Sequence, residues 1–337
     1  MFKKQKSVPL VSVCVPVYNS ERTLMRCLDS VAAQDFAPVE LVIVNDASGG
    51  TDVDGRTCAK IVKQFAKKIK KEGHKISVVY KEHRRNLGLV ETRRDLVDAS
   101  SGTCILMLDS DDFLDGTDGI SHLYSLATEH NADIANSTAE ILCTGDKNTP
   151  HYRTIQARLG KITTKELSGL EIARSCFVQA EHCAYLWAKL IKRTIYKKAF
   201  ELIPFTECTM GEDFLIYFFV CLFAQKYVGT EKRFYRYSVD GGISSTKSIK
   251  DLGQWTRVCS VAAALTIVVD FIQNNKEFAV DKDLVQAVRE SCNSFLASNI
   301  QKLKTQVVPE LQDQARAILE DTWSADYVAA VEKAMEK

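Results

Sequence analysis

Four short apolar runs dominate the first third of the chain, and segments of helical periodicity separate them. Leu10 to Val17 (LVSVCVPV) is rich in β-branched residues and is punctuated by Pro16 and Asn19, which reads as a buried strand. Val39 to Val44, Ile76 to Tyr80 and Thr103 to Leu108 read the same way. Behind Ser20 and Glu21, the residues Leu24, Cys27, Leu28 and Val31 recur at helical spacing. A basic helix is expected from about Asp54 to Lys71, and another from Leu89 to Ala99. Strands alternating with helices fold into a mostly parallel sheet flanked by helices, an α/β architecture. Such sheets bind ligands beyond the carboxyl ends of their strands. Three runs end in polar residues at that edge: Tyr18-Asn19, Asn45-Asp46 and Asp109-Ser110-Asp111-Asp112. They are expected to converge in space.

The alternation fades after about Ala135. Thr144 to Gly160 looks like a loop or irregular hairpin, and Leu167 to Arg193 carries mixed helical periodicity. Glu212 to Ala224 reads as a buried helix with acids at its start, and Tyr227 to Tyr237 as a strand. From about Leu252 onward the pattern is helical with charged faces. The expected organisation is a tail over 1–9, a main domain over 10–249 with halves 10–112 and 113–249, and a helical extension over 250–337.

The formal net charge of +1 leaves no global field to recruit nucleic acid. The eleven cysteines are scattered without a CxxC pair, which points to reduced, mostly buried thiols and a cytosolic protein. The polar, basic start lacks the apolar core of a secretory signal. Phe214 to Ala224 is read as the longest strongly apolar run, too short to span a bilayer. Peripheral contact at the inner membrane face stays open.

The strongest chemical feature is Asp109-Ser110-Asp111-Asp112 directly after Ile105-Leu106-Met107-Leu108. Three carboxylates at a strand end repel one another unless a cation neutralises them. Oxygen ligands suit Mg2+ or Mn2+, which bind one or two carboxylates plus substrate phosphates. A solvated acidic turn is the alternative, with Asp112 as a helix cap. Asp46 can accept a hydrogen bond from a nucleobase or ribose, or cap a turn. Glu212-Asp213 at a helix start suits either the helix dipole or a general base beside a dry pocket. Arg84-Arg85 and Arg93-Arg94 flank Asn86-Leu87-Gly88, where an arginine could clamp a diphosphate or lie on a solvated face. Lys189 to Lys198, with Trp187 and Tyr196, reads as an amphipathic helix or a contact to an anionic surface.

Together these residues resemble family 2 of the inverting glycosyltransferases, which have the GT-A fold. The resemblance runs from about Val11 to Ser245. Val13 to Asn19 looks like the family's first strand, and Glu40 to Ser48 resembles its second strand with the nucleotide-contacting Asp46. Asn86-Leu87-Gly88 followed by Arg93 resembles the Asn-x-Gly and Ala-Arg-Asn region. Gly102 to Asp112 is similar to the DxD segment, and Trp187 to Leu190 to an acceptor-side element. Glu212-Asp213 resembles the motif that carries the base, and Tyr235-Arg236-Tyr237 with Ser244-Ser245 the closing segment. Arg94 stands where the family has Asn, Leu96 where Gly is common, and Asn45 where Asp is usual.

The resemblance implies transfer of a hexose or N-acetylhexosamine from a nucleotide diphosphate donor, most often a UDP-sugar, with inversion. The acceptor would be a hydroxyl of a glycan or lipid-linked saccharide. The catalytic residues would be Asp213, as base, and Glu212. Donor contacts would come from Pro16, Tyr18, Asn19, Glu21, Asp46, Asn86, Gly88, Arg93, Asp109 and Ser110. Asp109 and Asp111 would hold Mn2+ or Mg2+, and Trp187 and Lys189 would face the acceptor. The C-terminal helices could form a homodimer or meet a membrane. A nucleotidyltransferase would carry a Gly-rich loop where Tyr18-Asn19-Ser20-Glu21 stands, and a nicotinamide dehydrogenase would carry GxGxxG. A non-catalytic nucleotide-sugar-binding or scaffold protein is the remaining alternative.

Overall fold

A computed structural model describes residues 10–142, 150–239, 248–276 and 281–336. The first third alternates as the periodicity predicts: β1 (Val11–Val17), α1 (Glu21–Ala32), β2 (Val39–Asn45), α2 (Cys58–Glu72), β3 (Ile76–Glu82), α3 (Leu89–Ala99) and β4 (Cys104–Met107). These four strands pair in parallel, in the order β3-β2-β1-β4. Every residue of β1 and β2 is buried, because helices cover both faces of the sheet. Val13 lies between Leu41 and Leu106 across the sheet, and Pro16 pairs with Val44. Leu24, Cys27, Leu28 and Val31 form the buried stripe of α1 that the spacing predicts. The basic helix α2 starts four residues later than expected, because Asp52 and Arg56 tie up the loop before it.

The second part follows as β5 (Phe113–Leu114), α4 (Gly119–Glu129), β6 (Ile134–Leu142), α5 (Pro150–Leu159), β7 (Leu167–Ser168), α6 (Leu170–Ala173), β8 (Lys189–Lys192), α7 (Arg193–Leu202), α8 (Glu212–Phe223) and β9 (Lys226–Ser238). Among the described residues this makes one nine-stranded mixed sheet, ordered β3-β2-β1-β4-β8-β6-β9-β5, with β7 on β9. The antiparallel β8 between β4 and β6 is the step that joins the two halves.

Two expectations need correction here. The expected loop of Thr144 to Gly160 contains helix α5, in which Gln156 anchors β6 by accepting the Ile141 N–H at 3.0 Å; residues 143–149 lie outside the described residues. Lys189 to Lys198 is not one amphipathic helix. Its first four residues are the strand β8, buried between neighbours, and the helix begins only at Arg193. In Leu167 to Arg193, read as mixed helical periodicity, the helical part is confined to α6 and one π-turn over Arg174–Val178, between strands β7 and β8.

The C-terminal part is helical, as expected: α9 (Leu252–Cys259), α10 (Val261–Asn274), α11 (Lys282–Gln306), α12 (Gln312–Trp323) and α13 (Ala325–Met335). Trp255, Leu265, Leu296 and Leu319 build a core of its own there. Ala264, Val268 and Val288 meanwhile join the core around Leu215 and Phe219 of α8. Leu252–Asn274, not Phe214 to Ala224, is the stretch whose length and composition could cross a bilayer, at 23 residues and mean hydropathy 1.6. Half of it is buried inside the fold, so its apolar character serves the core.

Candidate active site

The three polar strand ends meet as the topology demands. The Asp46 N–H donates to the Val17 carbonyl at 2.8 Å, so the β2 exit is fixed to the end of β1. The Asn19 N–H donates to Ser48 Oγ at 2.9 Å, and its Oδ1 accepts the Gly49 N–H at 3.1 Å. Ser20 and Ser110 share a hydrogen bond of 2.6 Å, and Thr23 Oγ1 donates to the Ser110 carbonyl at 2.9 Å. Ser110 is thus engaged in holding the acidic loop against the start of α1. Tyr18 is 41% exposed at this edge, whereas Pro16 is inside β1. Glu21, the first residue of α1, is buried, and its Oε1 has no hydrogen-bond partner. A Cβ on Gly50 would lie 2.8 Å from Glu21 Oε2, so a side chain there would have to push the Glu21 carboxylate aside.

The Asp46 carboxylate is engaged in a turn, the second of its two expected roles. Its Oδ1 accepts the Leu87 N–H at 2.8 Å and lies 2.7 Å from His83 Nδ1, and its Oδ2 accepts the Gly88 N–H at 3.0 Å. Asn86 Nδ2 donates to the Asp46 carbonyl at 3.4 Å. The carboxylate therefore organises the turn between β3 and α3, because two backbone N–H groups are aimed at it. Gly88 is required there: its φ is +86°, and a Cβ would fall 2.5 Å from the Glu207 carbonyl oxygen. His83 went unnoticed in the sequence. Its Nε2 lies 2.8 Å from Asp95, so the imidazole bridges two carboxylates.

The acidic loop leaves β4 into the middle of the site. Asp112 is not a helix cap, since α4 begins only at Gly119. It is buried, accepts the Ser238 N–H at 2.7 Å and accepts from the Tyr235 hydroxyl at 2.7 Å. Burial, then Asp109 and Asp111, push its carboxyl well above the usual range. The Tyr235 oxygen also accepts the Asp109 N–H at 3.1 Å. Arg26 Nη2 donates to the Asp111 carbonyl at 2.6 Å. Burial, with Asp109 beside it, pushes the Asp111 carboxyl up to about 6.

Arg93 is 1% exposed and stands at the centre. Its Nη2 lies 3.2 Å from Asp109 Oδ1, 3.4 Å from Glu212 Oε1 and 3.4 Å from Asp213 Oδ1. Burial works against its charge, but Asp109, Asp213 and Glu212 outweigh it and keep the guanidinium protonated. It is therefore neither on a solvated face nor free to clamp a diphosphate with this nitrogen. Its Nε and Nη1 are buried without hydrogen-bond partners. Arg94, in contrast, donates to the carbonyls of Phe200 and Ile203 at 2.7 and 2.8 Å, which ties α3 to the end of α7. Arg85 pairs with Glu207 at 2.6 Å on the surface.

Gly211, at φ +80°, turns the chain into α8 and delivers Glu212 and Asp213 to the site. Both carboxyls are raised. Burial is the main cause for each; Asp213 raises Glu212 further, while Arg93 pulls both back. Asp213 Oδ1 is buried with no hydrogen bond.

The acceptor-side expectations divide. Trp187 is buried and sits in an aromatic stack, with Tyr185 at 4.8 Å, Tyr235 at 5.0 Å and Tyr237 at 5.4 Å between ring centres. Lys189 does not face an acceptor. As a β8 residue between two strands it is buried, with Nζ on the Tyr185 carbonyl and 4.9 Å from the centre of the Tyr217 ring. Ser244 and Ser245 lie outside the described residues. Among the described residues, no three carboxylate, imidazole or thiol groups close around a metal. Asp109 and Asp111 fit a cation of the kind whose remaining ligands are substrate phosphates. Burial first and the charge of Asp109 second raise the Asp111 carboxyl, and a bound cation would offset both.

The profile of glycosyl transferase family 2 matches residues 12–199. Glycosyltransferase GlyA of Streptococcus pneumoniae serotype 4 is 29% identical over 237 residues, which cover 69% of this chain and 31% of the relative's length. The chain thus spans about a third of that protein. Residues 1–349 of Staphylococcus aureus TarS, solved with UDP-GlcNAc, superpose with a TM-score of 0.54 at 18% identity, covering 97% of this chain and 91% of that one. Mannosyltransferase PcManGT of Pyrobaculum calidifontis, solved with GDP-Man and Mn2+, gives a TM-score of 0.52 at 14% identity, covering 97% and 87%. These two likenesses concern the fold, which is the expected GT-A arrangement with a helical C-terminal region.

Proposed function

The chain belongs to glycosyl transferase family 2, and from that premise we propose that it transfers a hexose or N-acetylhexosamine from a UDP-sugar to a glycan or lipid-linked saccharide hydroxyl, with inversion. The observation that carries this reading is the meeting of Asp109, Glu212 and Asp213 on one buried guanidinium at the end of β4. Asp213 receives the proton of the attacking acceptor hydroxyl. Arg93 favours its ionised form, while burial raises its basicity. Burial raises Glu212 as well and Asp213 raises it further, so the two carboxyls titrate as a pair. The new bond forms at the anomeric carbon as the bond to the diphosphate breaks on the opposite face.

Asp109 and Asp111 would hold Mn2+ or Mg2+, and such a cation supplies Lewis-acid stabilisation of the diphosphate leaving group. The unpaired Glu21 Oε1 and the rim built by Tyr18 and Asn19 receive the nucleoside. The turn that Asp46 organises sets the position of α3, and through it Arg93. The stack of Tyr185, Trp187 and Tyr237 provides an apolar wall that excludes water from a donor prone to hydrolysis.

Thermal stability with UDP, GDP, dTDP and CMP, each with Mn2+ or with chelator, tests the reading. Ligand at about 100 times its dissociation constant adds ~2.7 kcal/mol. The expected result is a rise in melting temperature with UDP only when Mn2+ is present. A flat response to every nucleotide would overturn the donor and metal assignments together.

A further inference from the structure

The basic character of α2 is not used by the site. Between Arg56 and Lys75 the sequence holds eight Lys or Arg and a single acid, Glu72, in a chain whose net charge is only +1. The buried face of α2 carries Ile61, Val62, Phe65 and Ile69. The opposite face presents Lys60, Lys63, Lys67, Lys70 and Lys71, all exposed. Their spacing places them in one stripe about 16 Å long. Lys68 pairs with Asp29 at 2.9 Å, but none of those five meets a carboxylate among the described residues. Exposed Lys75 extends the stripe toward β3, the edge strand of the sheet.

A second feature adjoins the stripe. Val53 is 84% exposed, the most exposed large aliphatic side chain among the described residues. It stands at the tip of the β2–α2 loop, and that tip is rigidly built. Asp52 accepts the N–H groups of Asp54 and Arg56 at 3.0 and 2.8 Å, and Arg56 Nε at 2.7 Å. Arg56 also pairs with Asp54, at 2.9 Å. The loop therefore holds an apolar side chain out in water, with its two acids gathered on one guanidinium.

We propose that the outer face of α2, with Val53 beside it, docks on an anionic lipid bilayer. The residue types favour a bilayer over a soluble polyanion. The stripe is entirely lysine, whose flexible point charges suit the diffuse field of a lipid surface, whereas discrete phosphates are gripped by arginine forks. Val53 supplies the shallow apolar insertion that a soluble polymer would not reward. The loop leaves β2 at the same sheet edge as the site. Docking through Val53 thus brings the rim of the site to the lipid surface, where a lipid-linked acceptor would be found. The contact stands apart from the transferase reading, because it is measured without donor, metal or turnover.

The test is sedimentation of the full chain with vesicles of phosphatidylcholine alone, or of equal parts phosphatidylcholine and phosphatidylglycerol. Binding is expected only to the anionic vesicles and should fall away when ionic strength is raised to about 0.5 M. The triple variant Lys63→Gln, Lys67→Gln, Lys70→Gln should bind them about 100-fold more weakly, near five-fold for each lysine. Val53→Ser should weaken binding several-fold. None of these changes touches the site, so the nucleotide response of the variants should match wild type. Equal binding to neutral vesicles, or a triple variant that binds like wild type, would overturn the proposal. So would soluble polyphosphate binding more tightly than the vesicles, which would make the partner a polyanion in solution.

Discussion

Nη2 of Arg93 lies 3.4 Å from Oδ1 of Asp213, across the gap between α3 and α8. The same nitrogen serves Glu212 and Asp109, so one buried cation balances acids from two distant parts of the chain. Removing it leaves carboxylates in a low-dielectric pocket with no counter-charge. Arg93→Ala should cost ~3–5 kcal/mol in urea unfolding. Adding Glu212→Gln should recover part of that loss, because one of the repelling charges is gone. A loss below about 1 kcal/mol would mean that water reaches these acids and that Arg93 is not their balance.

Asp213→Asn keeps the shape of the side chain and removes its basicity. Transfer should fall by about 10² to 10⁴-fold, the usual contribution of a positioned base. UDP affinity in the presence of Mn2+ should remain within about two-fold, since a general base acts on the acceptor's proton and not on the donor. A parallel loss of nucleotide affinity, measured by calorimetry, would move Asp213 from base to binding residue.

The Tyr235 hydroxyl joins the Asp109 N–H to the Asp112 carboxyl, while its ring stacks on Trp187. Tyr235→Phe should keep the stack and lose both hydrogen bonds. We expect a loss of ~1–3 kcal/mol in stability, because buried polar groups are left without partners. The Mn2+ concentration that half-saturates the UDP-dependent melting shift should also rise several-fold. An unchanged Mn2+ requirement would show that the acidic loop holds its form without the phenol.

His182 is buried between the Ser175 hydroxyl, at 3.1 Å from Nδ1, and the Tyr217 hydroxyl, at 3.0 Å from Nε2. Burial, with Lys189 nearby, lowers its pKa from 6.5 to about 3. Between these values the unfolded chain binds a proton that the folded chain refuses, so stability is full above the upper value and falls as pH drops toward the lower one. The loss reaches at most ~5 kcal/mol for a shift of this size. His182→Gln cannot take up that proton. Its stability profile should therefore be flatter than wild type across the acid range, and equal slopes would place His182 in contact with solvent.

The sheet and its functional edge were legible because they rest on local chemistry. Val11 to Val17 and Leu89 to Ala99 declare a strand and a helix through side-chain periodicity alone. Parallel pairing then forces Asn19, Asp46 and Asp109 to one edge whatever the details of the loops. The stretch from Lys189 to Lys198 misled because helical spacing of its apolar residues says nothing about which strands lie on either side. Only pairing of β8 with β4 and β6 makes Lys189 a core residue.

The sequence by itself determined which residue types stand at each strand end, and with them the family. The tertiary structure decided what those residues touch. Arg93 carries no mark in the sequence that pairs it with Glu212, 119 positions away. Nor does Asp46 show that backbone N–H groups of Leu87 and Gly88 will occupy its oxygens. The physical reason is that local periodicity is set by backbone geometry within a few residues. The partner of a buried charge is set by desolvation, which exists only once the chain has closed around it.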